Sequence, residues 1–366
     1  MNSKQRVRAA LTRSQIPDRV PLQFDLCASQ LEAFAAKHGV PVDYSDAYYE
    51  DLKYRISAND LRTSMGSDCA VVGAGLASGF RLDPDPDGCI TNEFGMRMRQ
   101  GALYMEVVEP PLADCQTARD LASFRMPDPH DPARYEEAKS DIARFGRDYF
   151  IIGDCELTMF EMSWQLVGMQ KYMEDLAMRA SYVEPLLAMA HDWSLGVAQE
   201  LAQLAIDAIW FGDDFGSQTG LLMSPRMWRR VFKPLYAEIF GAVKSANPDI
   251  LIIMHSDGAV SQLLPDLIEI GLDVFNPVQP NVPGHDPQAL KDQFGDRLSF
   301  FGAIDQQNLL PNGTPDEIAA DVRDKIKILG RNGGYMAAPA HIIQADTPAK
   351  NVTAFVDAVK QYGVYA

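Results

Sequence analysis

The sequence predicts an α/β fold, a (β/α)8 TIM barrel with an inserted hairpin or flap region in its N-terminal part. Short β-rich runs that end in polar residues alternate with segments of helical periodicity, which is typical of βαβ units. About eight such runs occur, which is the number that closes a parallel barrel. The length of 366 residues suits one large barrel, so we expect residues 1–366 to form a single domain.

The predicted strands are spread along the whole chain and end near carboxylate, amide or imidazole side chains. They cover residues 19–24, 70–73, 149–153, 208–211, 250–253, 273–275, 298–302 and 334–337. The run 250–253 consists only of Ile and Leu, as expected of a strand buried on both faces. Right-handed crossovers put the carboxyl ends of all parallel strands on one face, where ligands and chemistry collect.

Three helices between these strands have clear start signals. Ser224, Thr314 and Thr347 each precede a proline, which places a capping hydroxyl before a Pro at the first helical position. A helix is predicted after each of them, and the first continues through residues 227–246.

Residues 44–144 fit the alternation poorly. They contain Asp- and Pro-rich turns at 82–88 and 126–129 and the short β-rich runs 89–91 and 103–108. Turn residues of this kind separate short strands. We predict a β-hairpin that hangs from the barrel as a flap, rather than an independent domain.

Composition excludes several classes of function. The net charge of −17 argues against nucleic acid or an anionic membrane surface as a partner, because both would be repelled. No apolar run approaches membrane-spanning length, and the N-terminal segment lacks the apolar stretch of a secretion signal, so we expect a cytoplasmic protein. The five cysteines form no CxxC pair, which predicts reduced thiols rather than disulfides or a thiolate zinc site.

Two histidines are the main candidates for a site. His255 and Asp257 follow a buried strand directly, and His341 lies just past the last predicted strand, on the same rim of a closed barrel. Two imidazoles and a carboxylate can form a tetrahedral zinc site with one open position. Without thiolates such a site is strongly Lewis acidic and suits the polarisation of an oxygen.

Purely structural roles are the alternatives for these three residues. Asp257 could cap the next helix while His255 donates to a backbone carbonyl, and His341 could pack in its loop between Pro339 and Ile342. The position of His255 at the carboxyl end of a strand favours a role in a site.

Acidic and amide side chains provide further candidates. Carboxylates at strand ends can be metal ligands, general acids or bases, or acceptors for a polar ligand, but at least one of Asp213 and Asp214 is predicted to cap a helix. The candidates are Glu156, Glu161, Asp214 and Gln218, together with Asn276 and Gln279 for substrate binding. The remaining histidines are predicted to be exposed in loops (His38, His130 and His285) or structural in a helix (His191).

The chain resembles the uroporphyrinogen decarboxylase superfamily nearly end to end. The resemblance rests on residues 6–24, 211–236, 254–280 and 333–352, and it implies a (β/α)8 barrel. Decarboxylases of this superfamily are similar to one another in an Arg-rich loop after the first strand, which grips substrate carboxylates. Here no Arg follows residues 19–24 until Arg55, so porphyrinogen decarboxylation is not expected.

The other branch of the superfamily consists of corrinoid-dependent methyltransferases, several of which carry a catalytic zinc held by His-x-Cys and a later Cys. On this sequence these positions are His255, Asp257 and a residue at or beside His341. Both thiolates are thus replaced by harder donors, which argues against methylation of a coenzyme-M-type thiol. The resemblance also implies a homodimer and a separate corrinoid protein as partner, because the chain has no DxHxxG corrinoid-ligating motif.

The sequence and the resemblance together predict an O-demethylating methyltransferase that moves a methyl group from a small methoxylated or related donor to cobalamin or a corrinoid protein. His255, Asp257 and His341 would bind Zn²⁺ or act as acids, Glu161 would be catalytic, and Asp214 and Gln218 would contact the donor. A folate acceptor is an open alternative. A decarboxylase or other lyase that acts on a small carboxylic acid without a metal, and a non-catalytic tetrapyrrole- or corrinoid-binding protein, are alternative functions.

Overall fold

The computed structural model of the protein describes residues 1–102 and 104–365. The strands are β1 (Cys69–Gly73), β2 (Ile90–Thr91), β3 (Arg97–Gln100), β4 (Met105–Glu109), β5 (Phe150–Glu156), β6 (Ala208–Gly212), β7 (Leu251–His255), β8 (Val274–Val278), β9 (Ser299–Ile304) and β10 (Tyr335–Pro339). The helices are α1 (Ser3–Thr12), α2 (Ala28–His38), α3 (Glu50–Ser57), α4 (Asn59–Met65), α5 (Glu136–Phe145), α6 (Met159–Val167), α7 (Met169–Met178), α8 (Val183–Ala202), α9 (Pro225–Val231), α10 (Lys233–Ala246), α11 (Leu264–Glu269), α12 (Pro287–Phe294), α13 (Leu309–Asn312), α14 (Pro315–Leu329) and α15 (Ala349–Tyr362).

Seven strands form one parallel sheet in the order β1-β5-β6-β7-β8-β9-β10. Each strand therefore pairs with its neighbour in this series, and every residue of the seven strands is buried. The register places His255 beside both Gly212 and Asn276, so that three carboxyl ends lie side by side. The predicted TIM-barrel class is confirmed.

The eighth strand that we predicted at residues 19–24 is not a regular strand. Isolated bridges join Leu22 to Ala337 of β10 and Leu26 to Ile343, so this segment occupies the eighth place without a continuous ladder. Pro21 is the physical reason, because it has no N–H to donate to a neighbouring strand. On the β1 side, the buried carboxylate of Asp68 accepts a hydrogen bond of 2.8 Å from the backbone N–H of Leu22.

Helix α1 closes the amino-terminal end of the barrel. Val7 and Leu11 pack against inward-facing strand side chains such as Val71 and Ile253. Arg6 of the same helix pairs with Asp68 at 2.7 Å. The interior is therefore filled at this end, and open space is left at the carboxyl ends of the strands.

The flap is a three-stranded antiparallel sheet, β2-β3-β4, and not the two-stranded hairpin that we predicted. The predicted runs 89–91 and 103–108 correspond to β2 and β4, and β3 is the additional strand that we did not predict. Residue 103 lies outside the described residues. The carboxylate of Glu50 accepts the backbone N–H of Met105 at 2.8 Å, which ties the flap to α3.

Two of the three predicted helix starts are confirmed. Ser224 accepts a hydrogen bond from the N–H of Met227, and Thr314 forms a capping box with Glu317. Thr347 does not cap α15, because Pro348 takes the N-cap position and has no side-chain acceptor.

The helix predicted through residues 227–246 is divided into α9 and α10, at a site where Pro234 provides no N–H. The cysteines in the described residues are free thiols, as predicted. No helix in the described ranges is long and apolar enough to cross a membrane.

Candidate functional site

A cleft of ≈560 Å³ opens at the carboxyl ends of the strands, beneath the flap. Strand β5 supplies Glu156, the loop after β6 supplies Asp214, β7 ends in His255, and the loop after β10 carries His341. Four separate strand ends thus deliver polar side chains to one space, as the parallel barrel predicts.

His255, Asp257 and His341 lie together at the base of this cleft. One potential ligand atom from each residue lies within 4.8 Å of those of the other two. The two imidazole rings are 5.8 Å apart between centroids and nearly perpendicular. The three residues that were chosen as candidate metal ligands are therefore brought together by the fold.

The orientation of His255 is set by Asn276. The side-chain oxygen of Asn276 lies 2.8 Å from Nδ1 of His255, so Nδ1 donates and Nε2 faces the cleft. Nε2 lies 3.8 Å from a carboxylate oxygen of Asp257 and 3.8 Å from one of Asp214. Burial alone lowers the pKa of His255, but the carboxylates of Glu156, Asp257 and Asp214 raise it to about 9. The site therefore attracts positive charge.

One structural observation, which does not depend on the family resemblance, indicates that these three side chains could bind a divalent metal ion. Oδ1 of Asp257 and Nδ1 of His341 are buried and have no hydrogen-bond partner among the described residues. Buried polar atoms without partners are costly, and a bound ion or ligand would satisfy them. Two nitrogens and one oxygen are donors that zinc accepts, and the cleft leaves room for a further ligand.

The structural alternatives for Asp257 and His255 are not what the fold shows. Asp257 caps no helix, since its Oδ1 has no partner in the described chain and α11 begins without a side-chain cap. His255 contacts the Asn276 side chain and not a backbone carbonyl. The ring of His341 lies 5.8 Å from that of Tyr104 on the flap.

Glu161 and Asp214 place two further carboxyl groups beside the two histidines. Burial, followed by the neighbouring carboxylates of Asp214 and Asp213, raises the pKa of Glu161 well above its usual value. Burial and Asp257 raise the pKa of Asp214 in the same way. Glu161 is therefore suited to hold a proton at neutral pH.

Asp213 caps a helix, as predicted for one of the two adjacent aspartates, but not the helix that follows it in the chain, which was the expected one. Its carboxylate accepts the backbone N–H groups of Met159, Phe160 and Glu161 at 2.8–3.0 Å, at the beginning of α6. It also accepts the hydroxyl of Tyr236 at 2.6 Å. The capped helix precedes Asp213 in the chain, which the local sequence does not reveal.

Asp213→Ala is expected to lower the free energy of unfolding by about 2–3 kcal/mol, because several buried donors would lose their acceptor. Urea denaturation measures the effect. The matched control is Asp214→Ala, whose carboxylate accepts only one backbone N–H, that of Asp257, at 2.7 Å, and a smaller loss is expected. Equal losses in the two variants would contradict the capping role.

The sequence did not identify Arg55 as part of the site. Its guanidinium is buried and donates to Asp25 at 3.1 Å, to Asp154 at 2.7 Å and to Glu156 at 2.6 Å. It also lies 4.3 Å from the ring centroid of Trp210. Arg62 pairs with Asp25 from α4 as well. Asp25 and Asp154 were visible at strand ends, but no local signal assigns an arginine of α3 to them.

The amide candidates occupy different positions around the cleft. Asn276 lies below it, in contact with His255. Gln279 accepts the backbone N–H of Gly258 at 2.9 Å and donates to Gln218 at 3.2 Å. Gln218 itself is exposed and does not line the cleft. A side pocket of ≈300 Å³, lined by Gln279 and Gln306, adjoins the cleft.

The prediction that His285 is exposed is wrong. Its imidazole is fully buried and packs edge-on against Phe275 of β8, with ring centroids 5.4 Å apart. Burial lowers the pKa of His285 to about 4, so the ring is neutral. His38 and His130 are exposed, and His191 is buried in α8, as predicted.

Comparisons with known proteins agree with this architecture. A family model described as uroporphyrinogen decarboxylase (URO-D) matches residues 93–362. A methylated-thiol--coenzyme M methyltransferase of Methanosarcina mazei is 28% identical over 145 residues, which cover 40% of this chain and 36% of that relative. The solved structure of a methyltransferase from Methanosarcina mazei superimposes with a TM-score of 0.72 at 21% identity and covers 99% of both chains. This last likeness confirms the fold.

Proposed function

The chain belongs to the uroporphyrinogen decarboxylase (URO-D) family, and on that premise we propose that it is a corrinoid-dependent methyltransferase. It would move a methyl group from a small methoxylated or related donor to a corrinoid. The observation that carries the proposal is the group formed by His255, Asp257 and His341 at the base of the cleft. The partial likeness to a methyltransferase sequence supports the choice of reaction.

His255, Asp257 and His341 would hold a zinc ion. When bound there, zinc supplies a Lewis acid for the heteroatom that carries the methyl group. Asn276 keeps the His255 ring in the orientation that turns Nε2 toward the cleft. Its removal is therefore expected to weaken the site without removing a ligand.

Glu161 would supply the proton that the leaving oxygen requires. As the bond between methyl carbon and oxygen breaks, the electron pair stays on oxygen, and the carboxyl of Glu161 protonates it. Burial and the neighbouring carboxylates raise the pKa of Glu161, which favours its protonated form. Because alkoxides and phenoxides are poor leaving groups in water, this proton transfer should contribute much of the catalysis.

The corrinoid would approach from outside. A cleft of ≈560 Å³ has the size of a site for one small molecule, and a corrinoid is much larger than such a ligand. The acceptor would therefore reach the methyl group from the mouth of the cleft, carried by a separate corrinoid protein. A homodimer and the choice of a corrinoid over a folate stay predictions.

Purified, zinc-loaded protein is expected to convert reduced cobalamin to methylcobalamin when a methoxylated donor is present. The absorbance change of the corrinoid measures the rate over a panel of methyl ethers, and Glu161→Gln should lower that rate by at least about 100-fold. Reactions without protein are the control. If no donor of the panel yields methylcobalamin, the proposed function is wrong, and tight cobalamin binding without turnover would favour the binding-protein alternative.

The lyase alternative receives less support from the cleft. A small carboxylic acid is normally held by Arg or Lys, and neither lines the cleft in the described part of the chain. No observation favours it as a second candidate function.

A further inference from the structure

The walls of the cleft carry carboxylates on several sides. Asp51 belongs to α3 and Glu106 to β4 of the flap, while Asp214 comes from the loop after β6. The side pocket adds Asp305. Among the described residues that line either space, none is Lys or Arg. A cleft lined by one sign of charge concentrates ligands of the opposite sign, and the net charge of −17 acts in the same direction.

Arg55 lies just below the cleft, but its positive charge does not offset the negative charge of the cleft walls. It is only 3% exposed, and its guanidinium is committed to Asp25, Asp154 and Glu156. Because Arg62 also pairs with Asp25, three carboxylates face two guanidinium groups, which still leaves an excess of negative charge. Arg55 is therefore not available to bind an anionic ligand.

Aromatic and thioether side chains lie between the carboxylates. Trp164 follows Glu161 by three positions on α6, so both project from one face of the helix into the cleft. Tyr104 and Met98 face the same space from the flap. Aromatic faces combined with carboxylates are the means by which proteins bind ammonium groups that carry methyl substituents.

A buried, unpartnered atom points to a ligand independently of these charges. Glu156 lines the cleft and is 7% exposed, and its Oε2 accepts from Arg55 at 2.6 Å. Its Oε1 is buried without a hydrogen-bond partner among the described residues, since Nδ1 of His255 lies 3.6 Å away. A carboxylate oxygen left in this state is expected to face a donor or a positive charge when a ligand is bound.

We propose that the methyl donor is a small organic cation, an ammonium-bearing methyl ether or thioether whose positive charge lies among Asp51, Glu106 and Trp164. This inference rests on the proposed function. The methylated heteroatom would lie at His255 and His341, and the ammonium group would take no part in the bonds that break. The negative potential of the cleft excludes donors and acceptors that carry a carboxylate or a sulfonate, coenzyme M included.

Three probes of similar size separate charge from shape. They are O-methylcholine, its uncharged analogue in which carbon replaces the ammonium nitrogen, and methoxyacetate. Calorimetry or ligand-observed NMR on the zinc-loaded protein is expected to show O-methylcholine binding at least about tenfold more tightly than the carbon analogue. Methoxyacetate is expected to bind more weakly than both.

Variants test which residues create the selectivity. Asp51→Asn and Glu106→Gln should each weaken O-methylcholine binding several-fold and leave binding of the carbon analogue unchanged. Asp324→Asn, on the exposed face of α14, is the matched control and should change neither. Loss of affinity for the charged and uncharged probes alike would indicate a change of shape and would contradict the proposal.

Failure of this inference can be distinguished from failure of the proposed function. If methoxyacetate or the carbon analogue binds as tightly as O-methylcholine, or is demethylated faster, charge selection is wrong while methyl transfer stands. If O-methylcholine binds selectively but no donor yields methylcobalamin, the cleft is a cation site and the methyltransferase proposal is wrong.

Discussion

His255→Ala and His341→Ala should each lose the bound metal and, with it, catalysis. Zinc-reconstituted wild-type protein is expected to retain close to one zinc per chain after mild dialysis, as measured by plasma mass spectrometry. Each variant removes one of three donors that lie within 4.8 Å of one another. Removing an outer-shell partner of a metal site already costs about 10–100-fold in affinity, and loss of a ligand should cost more.

The control for this experiment is His38→Ala, because His38 is exposed at the end of α2 and does not line the cleft. It should keep both zinc and activity. Asn276→Leu, which removes only the acceptor for Nδ1 of His255, should show an intermediate loss of zinc. If wild-type protein binds no zinc even after reconstitution, the two histidines become acid–base or ligand-binding candidates, and the lyase alternative gains support.

Arg55→Leu is expected to destabilise the protein by about 3–5 kcal/mol, because it leaves buried carboxylates without their shared cation. Arg55 pairs with Asp25, Asp154 and Glu156, all of which are buried. Urea denaturation at pH 8 measures the effect. The control is Arg331→Leu, which removes an exposed pair with Asp292 and should change stability little.

The loss caused by Arg55→Leu should shrink as the pH is lowered from 8 to 6. Burial raises the pKa of Glu156 to about 7 even though Arg55 lowers it, so removal of Arg55 raises this pKa further. A carboxyl whose folded-state pKa lies above its unfolded-state value binds a proton more tightly when folded. Stability of the variant therefore increases as the pH falls through that pKa. A pH-independent loss would show that packing, and not charge, is the cause.

The sequence predicted those residues of the site whose positions are set by the end of a strand. His255 lies at the end of β7 and His341 follows β10, so a closed parallel barrel was enough to bring them together. The contact of Asn276 with His255 follows from the same register, although the sequence analysis assigned this residue to substrate binding. Periodicity and strand order carry this information without any knowledge of side-chain packing.

Tertiary packing decided what the sequence could not predict. Arg55 is one of several polar residues on α3, and only the docking of that helix brings it to Asp154. His285 lies in a loop rich in Pro and Gly, and its burial depends on the loop folding back against Phe275. In both cases the contacting residue is not a neighbour that helix or strand periodicity would identify. Local sequence patterns therefore cannot predict the contact.

The irregular closure between β10 and β1 determines the order in which the molecule can assemble. Besides the bridge from Leu22 to Ala337, the side chain of Gln30 donates to the backbone oxygens of Gln344 and Thr347, 314 and 317 positions away. Contacts of such long range carry the largest loop-closure entropy and contribute to high contact order, so they form late in folding. The series from β5 to β9 can pair progressively between neighbours, whereas the segment that carries Asp25 finds its place only after β10 exists. We therefore expect the two sides of the cleft to meet late in folding.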